Sequence, residues 1–75
     1  DNMTLGERIK ERREEMGISG AELARRIEVT SSYIYQLERD TKIMPTPTLK
    51  AIAEALGCTA LDLDPDLGKQ AADSQ

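Results

Sequence analysis

The spacing of apolar residues along this 75-residue chain predicts short helices throughout. Apolar positions recur three or four residues apart, which is the period of one helix face, and the alternation typical of strands is almost absent. Thr4 to Glu7 reads as a capping box, in which the Thr hydroxyl accepts an amide and the Glu reaches back. We expect this helix to end near Met16, because Gly17 readily adopts the left-handed conformation that terminates helices. Its apolar stripe comprises Leu5, Ile9 and Met16.

Two further helices follow, with a short break between them. Ser19 to Glu22 is a second capping box, which opens a helix to about Ile27. Thr30 is a third N-cap, and the helix after it spans residues 31–39. The predicted buried residues of these two helices are Leu23, Ala24, Ile27, Ile34 and Leu37.

The remaining helix signals lie after a loop at residues 40–46. Thr46 is expected to cap a fourth helix with Pro47 at its first position, where the missing N–H costs nothing, and Gly57 should end it. Thr59 to Asp62 predicts a fifth helix of one turn. The apolar residues expected in the core from this part are Leu49, Ile52, Ala53, Leu56, Leu61 and Leu63.

Together these patterns predict an all-α domain of five helices at residues 4–64. The polar composition of residues 65–75 predicts a frayed tail. Residues 1–2 are interpreted as an extension before a natural start at Met3.

Composition removes several classes of function. There is no His and a single Cys, Cys58, so disulfide frameworks and Cys/His zinc sites are excluded. We interpret Cys58 as a buried apolar residue, and the neighbouring acidic residues as solvated surface. No apolar run approaches the ~18–20 residues of a membrane span. Because no activated nucleophile, metal cluster or glycine-rich phosphate loop is present, we expect no catalysis, no cofactor and no membrane contact.

The net charge of −4 and the pI near 4.7 argue against a nucleic-acid partner. The acidic excess is uneven, however. Residues 1–43 carry eight basic and nine acidic side chains, whereas residues 44–75 carry two basic and five acidic. The negative charge is therefore concentrated away from the second and third helices.

The helix, break and helix at residues 19–39 have the spacing of a helix-turn-helix unit. The segments Leu5-Gly6-Glu7-Arg8-Ile9, Met16-Gly17-Ile18-Ser19, Glu22-Leu23-Ala24, Ser32-Tyr33-Ile34, Leu37-Glu38-Arg39 and Leu49-Lys50-Ala51-Ile52-Ala53 resemble the Cro/repressor-type (XRE-like, lambda-repressor-like) DNA-binding domain. Within that family the Ser-Tyr-Ile segment is most similar to SinR-type regulators. The resemblance covers residues 4–63 and implies the five-helix lambda-repressor-like fold.

Such a domain places its third helix, here residues 30–39, in the DNA major groove. Ile34 and Leu37 face the core, so the opposite face presents the base-edge candidates Ser31, Ser32, Tyr35 and Gln36. Gln36 can pair with adenine through two hydrogen bonds. The expected phosphate contacts are Gly20 (through its amide), Thr30, Tyr33, Arg39 and Lys42.

The resemblance also implies a structural ion pair between Arg13 and Glu38, which ties the first helix to the end of the third. Four residues depart from the family pattern. Gly20 replaces a common phosphate-binding Gln, and Arg12 occupies a usual core position, where its stem can cover the core edge while its head reaches water. Glu28 and Asp40 replace common glycines, so at residue 28 either the turn tolerates a left-handed Glu or its shape differs.

Two functions are consistent with these observations. The first is a sequence-specific transcriptional regulator, most often a repressor in this family, acting in the cytoplasm of a bacterial or phage-infected cell as a homodimer on a pseudo-palindrome in double-stranded DNA. The second is a protein-interaction or antitoxin-like module that keeps the fold without strong DNA contact. A dimer would use the fifth helix and the apolar residues Leu61, Leu63 and Leu67, or an oligomerisation or effector region C-terminal to this chain.

Overall fold

A computed structural model describes residues 3–40 and 44–65 of the chain. The described residues form five α-helices and no strand, which confirms the predicted all-α class. The helices are α1 (Leu5–Glu15), α2 (Gly20–Ile27), α3 (Ser31–Asp40), α4 (Thr46–Ala55) and α5 (Ala60–Leu63). Predictions about residues 1–2, Lys42 and residues 66–75, including Leu67, lie outside the described part.

Side-chain caps fix the starts of most helices. At α1 the Glu7 amide donates to Thr4 Oγ1 (3.2 Å), and the Thr4 amide donates to Glu7 Oε1 (2.8 Å). The one-turn helix α5 has the same reciprocal box between Thr59 and Asp62. At α2 the Glu22 amide donates to Ser19 Oγ, but the Glu22 carboxylate turns towards Arg26 Nε at 3.1 Å.

The predicted cap of α4 was wrong by one residue. Pro45 is the N-cap, with an extended backbone, and its carbonyl accepts the Leu49 amide at 3.0 Å. The first helical hydrogen bond therefore begins at Pro45, and Thr46 is already helical. Pro47 occupies the second helical position. An amide at that position has no carbonyl partner within the helix, so the missing N–H of Pro47 costs no helical hydrogen bond.

Three helices end in the same Schellman arrangement, and one of them does so without glycine. After α1 and α4 the left-handed residues are Gly17 (φ 73°) and Gly57 (φ 71°). After α2 it is Glu28, at φ 62° and ψ 44°, with the Val29 amide donating to the Ala24 carbonyl (2.9 Å). The turn therefore keeps the left-handed shape and places a Glu in it.

The core is apolar and draws on α1 to α5, with Ile34, Leu23, Ile52 and Leu56 fully buried. Two residues predicted to be in the core are not there. Met16 lies beyond the last turn of α1 and is 43% exposed. Leu61 is 53% exposed because Leu63 takes the core position, and residues two apart on a helix point roughly 200° away from one another.

Helices α1 and α3 approach closely at Gly6. A Cβ at Gly6 would overlap the main-chain carbonyl oxygens of Leu37 and Glu38. Helix α2 packs on α3 and α4, which places the helix-turn-helix pair over the common core. No helix among the described residues is both long and apolar enough to span a bilayer. The packing of α2 on α3 and α4 holds the helix-turn-helix pair against the common core.

Candidate nucleic-acid interface

The face of α3 opposite the core is polar and open to solvent. Ile34 is completely buried, whereas Ser32 and Gln36 are exposed and Ser31 is half-buried. Thr30 Oγ1 accepts the Tyr33 amide at 3.2 Å, so the helix start is capped as predicted. The first turn of α3 carries no acidic residue. This face can therefore offer hydroxyl and amide groups to base edges without a local negative charge.

Tyr35 is placed differently from the other three base-edge candidates. Its ring packs on Gly20 at the start of α2, so closely that a Cβ on Gly20 would lie 2.5 Å from the ring atoms Cε1 and Cζ. The Arg13 guanidinium carbon lies 5.9 Å from the centroid of the same ring. The ring thus leans towards α1 and α2, although 48% of the residue stays exposed. Tyr35 therefore has a packing role as well as an exposed surface.

Arg13 and Glu38 form the ion pair expected of them. Arg13 Nε donates to Glu38 Oε2 (2.6 Å) and Nη2 donates to Oε1 (3.1 Å), while Nη1 donates to the Ile18 carbonyl (2.9 Å). Hydrogen bonding to Glu38 raises the pKa of Arg13, and burial opposes that change. Because both side chains are buried, this pair serves the structure of the domain.

Tyr33 lines a shallow groove on the opposite side of α3. The groove, of about 520 Å³, lies between the helix-turn-helix break and the start of α4. Tyr33 is 38% exposed, so part of its side chain packs on the domain. The groove is lined by Ile27, Val29, Thr30, Tyr33, Pro47, Thr48 and Ala51.

A second cleft adjoins the end of α3 and contains a cation that the sequence interpretation missed. Lys10 of α1 and Arg39 of α3 line this cleft of about 400 Å³ together with Tyr35. Its other walls are Glu7, Arg13 and Glu38. Lys10 precedes Arg13 by three residues, so one face of α1 carries both, and that spacing is the signal that could have identified it.

Two other arginines are occupied in holding the end of α4. Arg12 Nε donates to the Leu56 carbonyl (3.3 Å) and Nη2 to the Gly57 carbonyl (3.4 Å). Arg26 Nη1 donates to the Ala55 carbonyl (3.0 Å). The Arg12 side chain is 37% exposed, as expected of a head that reaches water, and it also binds these carbonyls because a helix C-terminus attracts cations.

Cys58, next to this helix end, is a half-buried free thiol. Its pKa is raised, mainly because burial disfavours the thiolate. Within the described residues, no three acidic, Cys or His side chains are grouped as metal ligands. Neither observation supplies an alternative site, so the open face of α3 is the candidate interface.

Comparisons with known proteins agree with this geometry. A helix-turn-helix family model matches residues 9–63. The immunity repressor protein of Bacillus phage phi105 is 40% identical over 55 residues, covering 73% of this chain and 38% of the repressor. The HTH-type transcriptional regulator RamB of Mycobacterium tuberculosis is 36% identical over 56 residues, covering 75% of this chain and 12% of RamB. The chain thus spans well under half the length of these relatives.

Solved structures extend the likeness to the fold. The solution structure of the DNA-binding domain of the P22 c2 repressor matches with a TM-score of 0.75 and 32% identity, covering 89% of this chain and 90% of that domain. The clp gene regulator ClgR of Corynebacterium glutamicum matches with a TM-score of 0.71 and 27% identity, covering 93% of this chain and 79% of ClgR. On these grounds the chain belongs to the helix-turn-helix family of Cro/repressor type.

Proposed function

We propose that this chain is the DNA-reading part of a sequence-specific transcriptional regulator that acts as a repressor. The observation that carries the proposal is the exposed, acid-free first turn of α3, which a capped start and a buried Ile34 hold on the domain surface. An α-helix of this kind fits the major groove of B-DNA. The relatives described as repressors and regulators support the same function.

The candidate contact residues divide into two roles. Gln36 can donate to and accept from adenine, and the hydroxyls of Ser31 and Ser32 can pair with almost any base edge. The phosphate candidates are Thr30, Tyr33, Arg39 and Lys42, together with the Gly20 amide. Phosphate contacts would set the register of the domain on DNA, while the α3 face would set its sequence preference.

We further propose that the working protein is a homodimer on a pseudo-palindromic site. One domain reads one half-site, and two-fold pairing would place the half-sites one helical turn apart, roughly 34 Å. Leu61 is exposed and available for such pairing, whereas Leu63 is buried and is not. The greater length of the relatives supports a further region that completes the dimer or binds an effector.

The cellular setting follows from the proposed partner. A protein that reads double-stranded DNA in a bacterium or an infecting phage would work in the cytoplasm, and the relatives with this domain come from such sources. The family is non-enzymatic, and the proposed activity needs no cofactor.

Selection of bound sequences from a random DNA pool tests this function. We expect a preferred half-site, and a palindrome if the dimer forms. In a salt titration, affinity should fall steeply because phosphate contacts release counterions. Gln36→Ala should relax preference at one base pair, whereas Arg39→Ala should weaken binding to all sequences alike. No binding to selected or random duplexes at low salt would reject the proposal.

The second candidate is a protein-interaction or antitoxin-like module. It draws support from the net charge of −4 and from Gly20, which offers no side chain to a phosphate. The same experiment separates the two functions, because only a regulator yields an enriched DNA sequence. Retention of a protein partner without DNA affinity would favour the module.

A further inference from the structure

We propose that Gly20 and Tyr35 act as one unit in which the Tyr35 hydroxyl contacts the DNA sugar-phosphate backbone and does not read a base edge. This inference rests on the proposed DNA-binding function and assigns a role within it. It removes Tyr35 from the base-reading group and links its position to the absence of a side chain at residue 20.

The ring of Tyr35 packs tightly against Gly20. A Cβ on Gly20 would lie 2.5 Å from Cε1 and Cζ of Tyr35 and 2.8 Å from its hydroxyl oxygen. Real Cβ atoms do not approach other atoms so closely, so the ring can occupy this place only while residue 20 is glycine. Gly20 therefore determines where the Tyr35 hydroxyl lies.

The ring of Tyr35 also lies near Arg13. The guanidinium carbon of Arg13 lies 5.9 Å from the ring centroid, within the range of a cation–π contact. Arg13 cannot follow the ring freely, because it is held by Glu38 and by the Ile18 carbonyl. The ring thus contacts both a fixed cation and the start of α2, and these contacts lower the entropy cost of using its hydroxyl.

Tyr35 also borders a cleft that carries positive charge. Tyr35 lines the cleft beside α1 that also holds Lys10 and Arg39, and both of these cations are exposed. A hydroxyl donor on a residue that shares a cleft with two exposed cations suits a phosphate oxygen, which accepts hydrogen bonds and carries negative charge. The base-edge candidates Ser32 and Gln36 do not line this cleft. The ring therefore lies on the flank of α3 next to α1, in a cleft apart from Ser32 and Gln36, and this placement favours a backbone contact over base reading.

Tyr35→Phe tests the proposal, since it removes the hydroxyl and keeps the packed ring. The 75-residue chain and the variant would be titrated against the selected duplex, single-base variants of it and a random duplex. We expect Tyr35→Phe to weaken binding to all of them by about tenfold, with an unchanged base preference. Gln36→Ala is the matched control, because it should change the preference at one base pair.

A double-mutant cycle tests the coupling to Gly20. Gly20→Ala should weaken DNA binding in the wild-type background, because its methyl group displaces the ring. It should have no further effect in a Tyr35→Ala background. Thermal melting of each variant identifies any loss of folding, and Tyr35→Phe carries the test by itself if Gly20→Ala unfolds the domain.

Several results would overturn the inference. A Tyr35→Phe variant that changes preference at one base pair, or that binds every duplex as well as the unaltered chain, contradicts a backbone contact. Additive effects of Gly20→Ala and Tyr35→Ala contradict the unit. If the unaltered chain binds no duplex, the proposed function fails, and this inference fails with it. That outcome is distinguishable from one in which the unaltered chain binds DNA and only the prediction for Tyr35→Phe fails.

Discussion

Arg13 of α1 and Glu38 of α3 form a two-pronged ion pair that water hardly reaches. Their side chains are only 9% and 4% exposed, and the closest contact is 2.6 Å. No side-chain nitrogen or oxygen buried in the described part lacks a hydrogen-bond partner. The pair therefore fixes the angle between α1 and the helix that carries the candidate interface.

Loss of one partner should destabilise the domain strongly. Glu38→Ala leaves the Arg13 charge buried and unpaired, which costs about 3–5 kcal/mol of unfolding free energy. Glu22→Ala is the control, because the pairs of Glu22 with Arg25 and Arg26 are exposed and worth less than about 1 kcal/mol. Urea denaturation measures both variants. Equal, small effects would show that the buried pair does not support the fold.

The close approach of α1 and α3 makes Gly6 intolerant of a side chain. Gly6→Ala puts a methyl group against two main-chain carbonyls, which cannot turn away as a flexible side chain would. We expect a loss of about 1–3 kcal/mol, despite the better helix propensity of Ala. At Gly17→Ala there is open space, so only the left-handed backbone is penalised, by about 1–2 kcal/mol.

NMR spectra also distinguish the two glycine variants, because the two substitutions should disturb different parts of the domain. Gly6→Ala should shift NMR signals of α3 as the helices move apart, while Gly17→Ala should disturb only residues near the end of α1. Unchanged α3 signals together with full stability in Gly6→Ala would contradict a steric conflict between the new methyl group and α3.

Acid should weaken the cap of α5. The pKa of Asp62 is lowered from its ordinary value of 3.8, chiefly because its carboxylate accepts the Thr59 amide hydrogen bond. A carboxyl with a lowered folded-state pKa stabilises the fold above its unfolded-state pKa, and this contribution disappears as pH falls through the folded-state value. Unfolding midpoints of the unaltered chain and of Asp62→Asn, measured from neutral pH to below the Asp62 pKa, should therefore converge on acidification. A constant difference would contradict this linkage.

Local sequence signals predicted much of this fold. The caps at Thr4, Ser19, Thr30 and Thr59 each join residues three apart, so the local sequence contains both partners. Apolar spacing likewise identified Ile34 and Leu49 as core residues, and both are buried. Even the one-turn helix α5 was predictable, because its capping box is complete within four residues.

Contacts between helices could not be predicted in the same way. Arg12 and Arg26 bind carbonyls at the end of α4, about thirty to forty-five residues further along the chain, and no local pattern indicates that meeting. The fit of Tyr35 on Gly20 also depends on the packing of α3 against α2. Met16 and Leu61 were wrongly predicted to be buried, because apolar spacing identifies a helix face but does not show how far the core extends along that face.

Glu28 is the residue at which stability and DNA affinity should respond together. Its left-handed backbone (φ 62°) is costly for a residue with a side chain, and its charge lies in the turn between α2 and α3. Glu28→Gly should therefore stabilise the domain by up to about 1 kcal/mol and also strengthen DNA binding. Glu28→Gln removes the charge and keeps the backbone cost, so it should strengthen DNA binding at low salt without added stability. Melting curves and salt titrations of both variants separate the two effects, and a Glu28→Gly variant less stable than Glu28→Gln would contradict the strain.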